Sequence, residues 1–194
     1  MRLSEVRNHI EADLYRYDGA MGAMAFLAKM ISEAGFRYMF LLRICRYSRA
    51  SKWLRWGFYH LCKFWFQSLS KKLGVYMDAT TEIGPGLIIG HTCGIVINKD
   101  CCIGSNCSVS HHVTLGRKSR EPNKGCPTLG DRVYIGPGAV IIGAIHIGND
   151  AAIGANAVVT KDVPDNAVVA GIPARVISDR GSEGYVTWPW PPAA

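Results

Sequence analysis

The sequence lacks several features that would identify its class directly. No run of apolar residues approaches the roughly 18 that a membrane-spanning helix requires. The opening stretch MRLSEVRNHIEADLYRYDG has no uninterrupted apolar segment, which is unlike a secretory signal peptide. There is no Gly-x-x-x-x-Gly-Lys loop and no strand-linked Gly-x-Gly-x-x-Gly fingerprint. We therefore expect no chemistry on nucleoside triphosphates or dinucleotides.

A Cys-x-x-Cys pair is also missing, although the chain has seven cysteines. The odd number and the adjacent Cys101 and Cys102 argue against a disulfide framework. We interpret the thiols as free and mostly buried, in a reducing compartment, and we expect a cytoplasmic protein. The 48% hydrophobic and 19% charged composition is that of a folded domain rather than a disordered chain.

Acidic residues are absent between Glu33 and Asp78, while the same stretch carries nine lysines and arginines interleaved with aromatic residues. A basic, aromatic, amphipathic segment is typical of a surface that lies on an anionic bilayer. The alternative is a helical region that packs its aromatics within its own subunit or against an oligomer partner. We keep both interpretations for residues 36–72. No nucleic-acid-binding motif accompanies the charge, so we expect no nucleic acid partner.

The first 75 residues predict an α-helical subdomain. Apolar residues with helical spacing near the N-terminus indicate a first helix, and a second is predicted from about 23 to 33, ended by Gly35. Further helices are predicted around 40–45 and from 52 to 69. Residues 178–194 end in TWPWPPAA and predict an extended or disordered tail, since their prolines cannot continue a helix.

A repeat of six residues dominates the region 76–177. Apolar anchors recur with this period at Ile83, Ile89, Ile95, Ile103, Val109, Leu115, Leu129, Ile135, Ile141, Ile147, Ile153 and Val159, with two longer gaps. A period of six fits neither a helix nor a flat strand, but it fits a three-sided prism of short strands with about 18 residues per coil. We predict a mainly β fold, a parallel β-helix of about five coils, with an N-terminal α-helical subdomain.

Two histidines follow the anchors of successive coils. His91 comes two residues after Ile89, and His111 comes two residues after Val109. Their separation of 20 is one coil plus a two-residue insertion. We therefore predict that the two imidazoles share a corner of the prism, about 4.8 Å apart at strand spacing. Histidine is the natural proton acceptor near neutral pH.

The motifs IGPGLIIGHTCGIVIN, SHHVTLG, CPTLGD and VTKDVPDNAVVAGIPARVI resemble those of the hexapeptide-repeat acyltransferases. Within that family the sequence is similar to the serine acetyltransferase branch, and most similar to the acetyltransferases of colanic-acid and capsular polysaccharide synthesis. The resemblance implies a left-handed parallel β-helix, acetyl-CoA as co-substrate without a metal, and a homotrimer with active sites between neighbours. Higher assembly through the N-terminal helices is a further expectation.

The resemblance also implies roles for individual residues. His91 matches the family's catalytic histidine and would be the general base. His111 would act on the substrate or as a second base, with His112 and Cys126 as substrate contacts. The segment 117–126 breaks the repeat, and in the family this loop closes over the acceptor.

The coenzyme groove is expected along the C-terminal coils. By motif position, the residues implied to bind CoA are Ala139, Ala155, Thr160, Lys161 and Arg175. The two alanines would let the pantetheine arm approach the backbone, and the basic residues suit a polyanionic ligand.

The predicted function is transfer of an acetyl group from acetyl-CoA to a sugar hydroxyl of a cell-surface polysaccharide or its precursor. Gly90, Gly125 and Cys126 stand where serine acetyltransferases carry Asp, Arg and His, which favours a sugar over an amino acid. L-serine remains the alternative acceptor. A remote alternative is a zinc hydratase of the γ-type carbonic anhydrase kind, with His91, His111 and His112 as ligands. A non-catalytic scaffold would bind no CoA.

Overall fold

The computed structural model describes residues 2–51 and 53–191. Helices occupy the N-terminal part of the chain. They are α1 (Leu3–Asp18), α2 (Ala23–Ser32), α3 (Ala34–Ala50) and α4 (Phe58–Leu73), with a 3₁₀ helix at Leu54–Trp56. None of the helices in the described ranges has the length and apolarity needed to pass through a bilayer.

Short strands make up the rest of the described chain. They are β1 (Val75–Met77), β2 (Glu82–Ile83), β3 (Ile88–Ile89), β4 (Ile95–Ile97), β5 (Cys102–Ile103), β6 (Ser108–Val109), β7 (Thr114–Gly116), β8 (Thr128–Leu129), β9 (Tyr134–Ile135), β10 (Val140–Ile142), β11 (His146–Ile147), β12 (Ala152–Ile153), β13 (Val158–Val159), β14 (Val168–Gly171) and β15 (Ala174–Ser178). The protein is a left-handed parallel β-helix of about five turns, as the repeat and the resemblance predicted.

Three parallel sheets form the faces of the prism. The first sheet has the order β1-β4-β7-β10-β13, and the second has the order β11-β8-β5-β2. The third runs β15-β14-β12-β9-β6-β3, and its last pair, β14 with β15, is antiparallel. Every anchor that the six-residue period predicts is buried, with 0–3% of its surface exposed. The core is thus one continuous apolar column along the prism axis. The prediction is wrong at one anchor, because Ile97 and not Ile95 stands opposite Leu115 in the first sheet.

The corner between the second and third sheets repeats one backbone conformation in each coil. A residue with φ between +56° and +79° occupies this position in five successive coils: Gly86, Asn106, Arg132, Asp150 and Asn166. Glycine, asparagine and aspartate adopt this left-handed conformation most readily. Arg132 donates from Nε and Nη2 to the carboxylate of Asp150 at 2.6 and 2.8 Å, so the ion pair joins neighbouring coils at the corner.

The helices are fastened to the first coil by a buried ion pair. Arg43 of α3 donates to Asp13 of α1 at 2.9 and 3.1 Å, and both side chains are at most 1% exposed. Arg43 also donates to the carbonyls of Ile83 and Gly84, while Asp13 accepts from the amides of Gly86 and Leu87. Because both charges are paired and make further hydrogen bonds to the backbone, the pair joins two helices and one coil in one arrangement.

The helix boundaries differ from the prediction in two places. Gly35 does not simply end a helix, because it lies in the first turn of α3. A Cβ at Gly35 would collide with the carbonyl oxygen of Ile89, so glycine lets α3 approach strand β3 closely. The fourth predicted helix is divided, since Gly57 separates the 3₁₀ helix from α4.

The C-terminal tail is ordered as far as the description extends. After β15 it returns along the prism, where Tyr185 stacks on Tyr134 with ring centroids 4.4 Å apart. Asn106 then exchanges two hydrogen bonds with the backbone of Trp190, at 2.7 and 2.8 Å. Residues 179–191 therefore contact the prism at specific positions, while residues 192–194 lie outside the described part. The three-part division at 75 and 177 stays our proposal.

Candidate active site

The paired histidines meet at one corner of the prism. We call this the histidine corner; it joins the third sheet to the first and comprises residues 90–94, 110–112, 136–138 and 154–156. His91 follows β3 and His111 follows β6, and these strands pair with Ile89 opposite Val109. The ring centroids are 5.8 Å apart, with an angle of 70° between the rings. The predicted shared corner is confirmed.

The two rings differ in their access to solvent. His91 is exposed, whereas His111 is half-buried. The Nδ1 atom of His111 is buried and has no hydrogen-bond partner among the described residues. Buried polar atoms are nearly always paired in proteins, so this unpaired nitrogen is unusual. The pair therefore presents one open imidazole with a second imidazole directly behind it.

His112 occupies the left-handed position of the same corner. Its φ is +58°, and Gly94, Gly138 and Asn156 adopt the same left-handed conformation in the neighbouring coils. The His112 ring lies 5.5 Å from the His111 ring at 86°, and the His112 amide donates to the carbonyl of Cys93 at 2.7 Å. His112 therefore packs edge-on against His111, and its exposed side chain faces solvent.

Helices α1 and α3 support strand β3 from behind the histidine corner. The Tyr17 hydroxyl donates to the carbonyl of Ile89 at 3.5 Å, two residues before His91. Burial, followed by the nearby Asp13 carboxylate, raises the pKa of Tyr17 well above its usual range, so the hydroxyl stays protonated. Sequence reasoning missed Tyr17 and Gly35, because their contacts with Ile89 span distant parts of the chain and leave no local signal.

A second group of candidate residues lies at a different corner. This loop corner joins the first sheet to the second and comprises residues 98–100, 117–126, 143–144 and 160–162. The predicted loop leaves the prism as a closed hairpin in which Lys118 and Gly125 exchange backbone hydrogen bonds of 2.9 and 3.0 Å. Arg117 pairs with Asp100 at 3.1 Å, and Ala144 donates to the carbonyl of Asn123. The hairpin is thus anchored on the coils before and after it.

Cys126 closes this hairpin and is half-buried against the core. Its neighbour is the buried Cys101, whose thiol pKa is raised to about 12 by burial and then by Cys126. The Cys101 thiol is therefore protonated at neutral pH and is a poor nucleophile. Cys126 packs beside it, on a different edge of its own chain from the histidines.

The candidate CoA residues divide by accessibility. Ala155 is exposed at the histidine corner, while Thr160 and Lys161 are exposed at the loop corner, and Arg175 is exposed on β15. These residues fit a long polyanionic ligand, because the methyl of Ala155 leaves the backbone accessible and two cations face solvent. Ala139 does not fit, since it is 0% exposed and its methyl group belongs to the core. We withdraw Ala139 from the predicted groove.

The described residues offer no set of metal ligands. Within 2–51 and 53–191, no three His, Cys, Asp or Glu side chains are arranged to hold a metal ion. His91, His111 and His112 are neighbours, but they do not converge on one point. The zinc-hydratase alternative therefore finds no ligand set within the described residues of one chain.

Comparisons with known proteins place the chain among transferases. The family described as "Bacterial transferase hexapeptide (six repeats)" matches residues 126–161. The serine acetyltransferase of Bacillus pumilus is 34% identical over 167 residues, which cover 86% of this chain and 75% of that enzyme. That of Mycobacterium tuberculosis is 46% identical over 104 residues, which span only 45% of its length.

Solved structures agree in fold. The serine acetyltransferase of Neisseria gonorrhoeae superposes with a TM-score of 0.74 at 32% identity, covering 91% of this chain and 69% of that one. The enzyme of Brucella abortus, solved in complex with coenzyme A, gives 0.72 at 30% identity, covering 92% and 68%. Together, these relatives and the structure solved with coenzyme A support an acetyl-CoA-dependent acyltransferase. The chain belongs to the hexapeptide-repeat transferase family.

The comparisons do not support the expected branch of the family. The relatives described above are named serine acetyltransferases, and none is named for colanic-acid or capsular polysaccharide synthesis. The predicted similarity to that polysaccharide group is therefore not supported by these comparisons.

Proposed function

We propose that this protein transfers the acetyl group of acetyl-CoA to a hydroxyl, with His91 as the general base. The observation that carries the proposal is the exposed imidazole of His91 beside the half-buried His111, with ring centroids 5.8 Å apart. An open imidazole on a rigid corner is suited to take a proton from a bound alcohol.

The proposed reaction proceeds by direct transfer, without a covalent enzyme intermediate. His91 accepts the hydroxyl proton while the hydroxyl oxygen attacks the thioester carbonyl carbon. The carbon–sulfur bond breaks, and His91 returns the proton to the departing sulfur, which leaves as the CoA thiol. His111 lies half-buried beside His91, and its accessible ring edge would contact the substrate at the same corner. In this scheme Cys126 has no chemical role, which agrees with its packing.

L-serine is the acceptor that the comparisons support best, because the relatives are named for that activity. A sugar hydroxyl is the second candidate. It is favoured by Gly90, Gly125 and Cys126, since no side chain at these positions supplies a cation or carboxylate for the amino acid's own charges.

One assay decides between the two acceptors. Release of free thiol from acetyl-CoA is measured with L-serine in one arm and with nucleotide sugars and oligosaccharides in the other. We expect turnover that depends on an added acceptor and saturates with L-serine. Saturation with a sugar alone would move the assignment to the second candidate. Absence of both turnover and CoA binding would contradict the proposed reaction.

The proposal includes a homotrimer. In a single chain the histidine corner and the loop corner are separate edges of the prism, so one subunit cannot close a site from both. A threefold arrangement sets one edge of each subunit against a different edge of its neighbour. The hairpin 117–126 and Lys161 of one subunit would then face the histidine corner of the next.

A further inference from the structure

The N-terminal subdomain carries an apolar surface that nothing in the described chain covers. Large side chains of the 3₁₀ helix and α4 project outward, and Trp53 and Trp56 are 93% and 86% exposed. Phe64 and Trp65 of α4 follow at 65% and 58%. The opposite side of α4 packs against the protein through Cys62, Phe66 and Ser70, so the outward side is not part of the core. Clusters of exposed aromatics of this size mark interaction sites.

Basic side chains surround these aromatics. The exposed basic residues of this surface are Arg55, Lys63, Lys71 and Lys72, and none of them forms an ion pair with a carboxylate of the described residues. They differ from Arg37, Arg43 and Arg46, which donate hydrogen bonds within the protein. We call the outward surface of residues 53–72 the aromatic–basic face.

The positive charge of the aromatic–basic face favours an anionic partner. No acidic residue lies between Glu33 and Asp78, so a second copy of the same face would bring only positive charges together. An anionic bilayer supplies the complementary charge, and each basic residue near its surface strengthens binding. Tryptophan favours the headgroup region of a bilayer, where its ring is buried and its N–H stays hydrated.

We propose that the aromatic–basic face binds the surface of an anionic phospholipid bilayer, with α4 lying in the interface. Trp53, Trp56 and Trp65 insert at the headgroup level, while Lys71 and Lys72 contact lipid phosphates. A helix of 16 residues interrupted by lysines lies on a bilayer rather than across it. The histidine corner is built on the β-helix, so binding would hold the catalytic domain next to the lipid without occupying its site.

The test is co-sedimentation of the full chain with vesicles. One set contains phosphatidylcholine alone, and the other contains phosphatidylcholine with phosphatidylglycerol. We expect binding only to the second set, weakened by added salt because the attraction is screened. Lys71→Gln with Lys72→Gln should lower the partition coefficient about 25-fold, from about fivefold per basic residue. Trp53→Ser with Trp56→Ser should abolish sedimentation.

A matched control distinguishes the face from general hydrophobicity. Met24 and Ile31 on α2 are each 81% exposed, and Met24→Ser with Ile31→Ser should leave vesicle binding unchanged. Acetyl transfer in solution and the thermal unfolding midpoint should be the same in all variants, which shows that they are folded. Equal binding to both vesicle sets, or to neither, would overturn the proposal. So would a tryptophan variant that keeps vesicle binding and changes the oligomeric mass, since the face would then bind another copy.

Discussion

At the level of single residues, the chemistry depends on the difference in exposure between two neighbouring imidazoles. His91 reaches solvent at the corner, whereas His111 fills the space behind it and keeps a buried nitrogen without a protein partner. Strand β6 before His111 is paired on both sides and strand β3 before His91 is paired with β6, so removal of one ring should not disturb the coil. Substitution at this corner can therefore test chemistry separately from folding.

His91→Ala should lower kcat by about 10²–10⁴ and leave the dissociation constant for CoA nearly unchanged, because general base catalysis is lost while the groove remains. Steady-state kinetics and calorimetric titration with CoA measure the two quantities. His146→Ala is the control, since His146 is exposed on β11 in the second sheet. Turnover retained by the His91 variant would remove its assignment as the base.

His9 should make stability depend on pH. Burial, and then the nearby Arg43, lowers the pKa of His9 to about 4, with Arg46 acting in the same direction and Asp13 and Glu5 opposing. Between pH 6.5 and 4 the unfolded chain therefore binds a proton that the folded protein does not, and the free energy of unfolding falls as the pH falls. Urea denaturation across this range measures the effect.

His9→Gln is the matched variant for this titration. In this variant the free energy of unfolding should fall less as the pH is lowered towards 4.5. Asp18 and Asp78, whose pKa values are lowered, remain ionised in this range and do not contribute to the difference. A variant with the same pH profile as the original chain would show that another group is responsible.

The sequence predicts part of this arrangement of residues. The separation of 20 between His91 and His111 was sufficient to place them together, because anchors two residues before them are in register. Ala139 was misassigned, although it stands two residues before the anchor Ile141, a position filled by small or apolar buried residues in each neighbouring coil. The burial pattern is thus a better guide to Ala139 than its position in the family motif. The docking of Asn106 on Trp190 joins residues 84 apart, and no local signal predicts it.

At the level of elements, the helices and the β-helix share one hydrophobic core, and a buried ion pair is among the polar contacts that join them. Asp13 links α1 to Arg43 of α3 and to the backbone of the first coil, which carries β3 and the histidine corner. Six hydrogen bonds thus converge on two side chains at the point where three elements meet. This contact positions β3 relative to the helices together with the contacts of Tyr17 and Gly35 at Ile89.

Asp13→Ala should reduce the free energy of unfolding by about 3–5 kcal/mol, because it leaves Arg43 charged and buried without its carboxylate. Chemical denaturation followed by circular dichroism measures the loss. Glu11→Gln is the control, since the Arg7–Glu11 pair is exposed at the surface of α1 and contributes little. Equal effects of the two substitutions would show that the buried pair has no special role.

At the level of the whole molecule, the proposed site requires two subunits. Candidate residues are distributed over two edges of the prism. The six-residue period predicts this distribution, because it assigns each residue to a corner. Which edges meet between subunits depends on surface complementarity, which the period of six does not encode. The mass of the assembly checks the trimer directly, since three chains have three times the 21.2 kDa of one.

Mixing two inactive variants should restore activity. In trimers of His91→Ala and Lys161→Glu subunits, a site that takes His91 from one chain and Lys161 from its neighbour is intact in some arrangements. Random mixing at equal amounts should recover about a quarter of the original activity, because each half of a site is intact half of the time. Mixtures no more active than either variant alone would place both residues in the site of a single chain.

The turn between β14 and β15 reverses the direction of the last strand of the prism. A stack of parallel strands normally ends in a row of unpaired amides and carbonyls onto which an identical stack can add. Here the final strand runs in the opposite direction to the rest, and the helices occupy the other end. Because a reversed strand does not continue the parallel register, we expect β15 to hinder the addition of a second prism at the end of the third sheet.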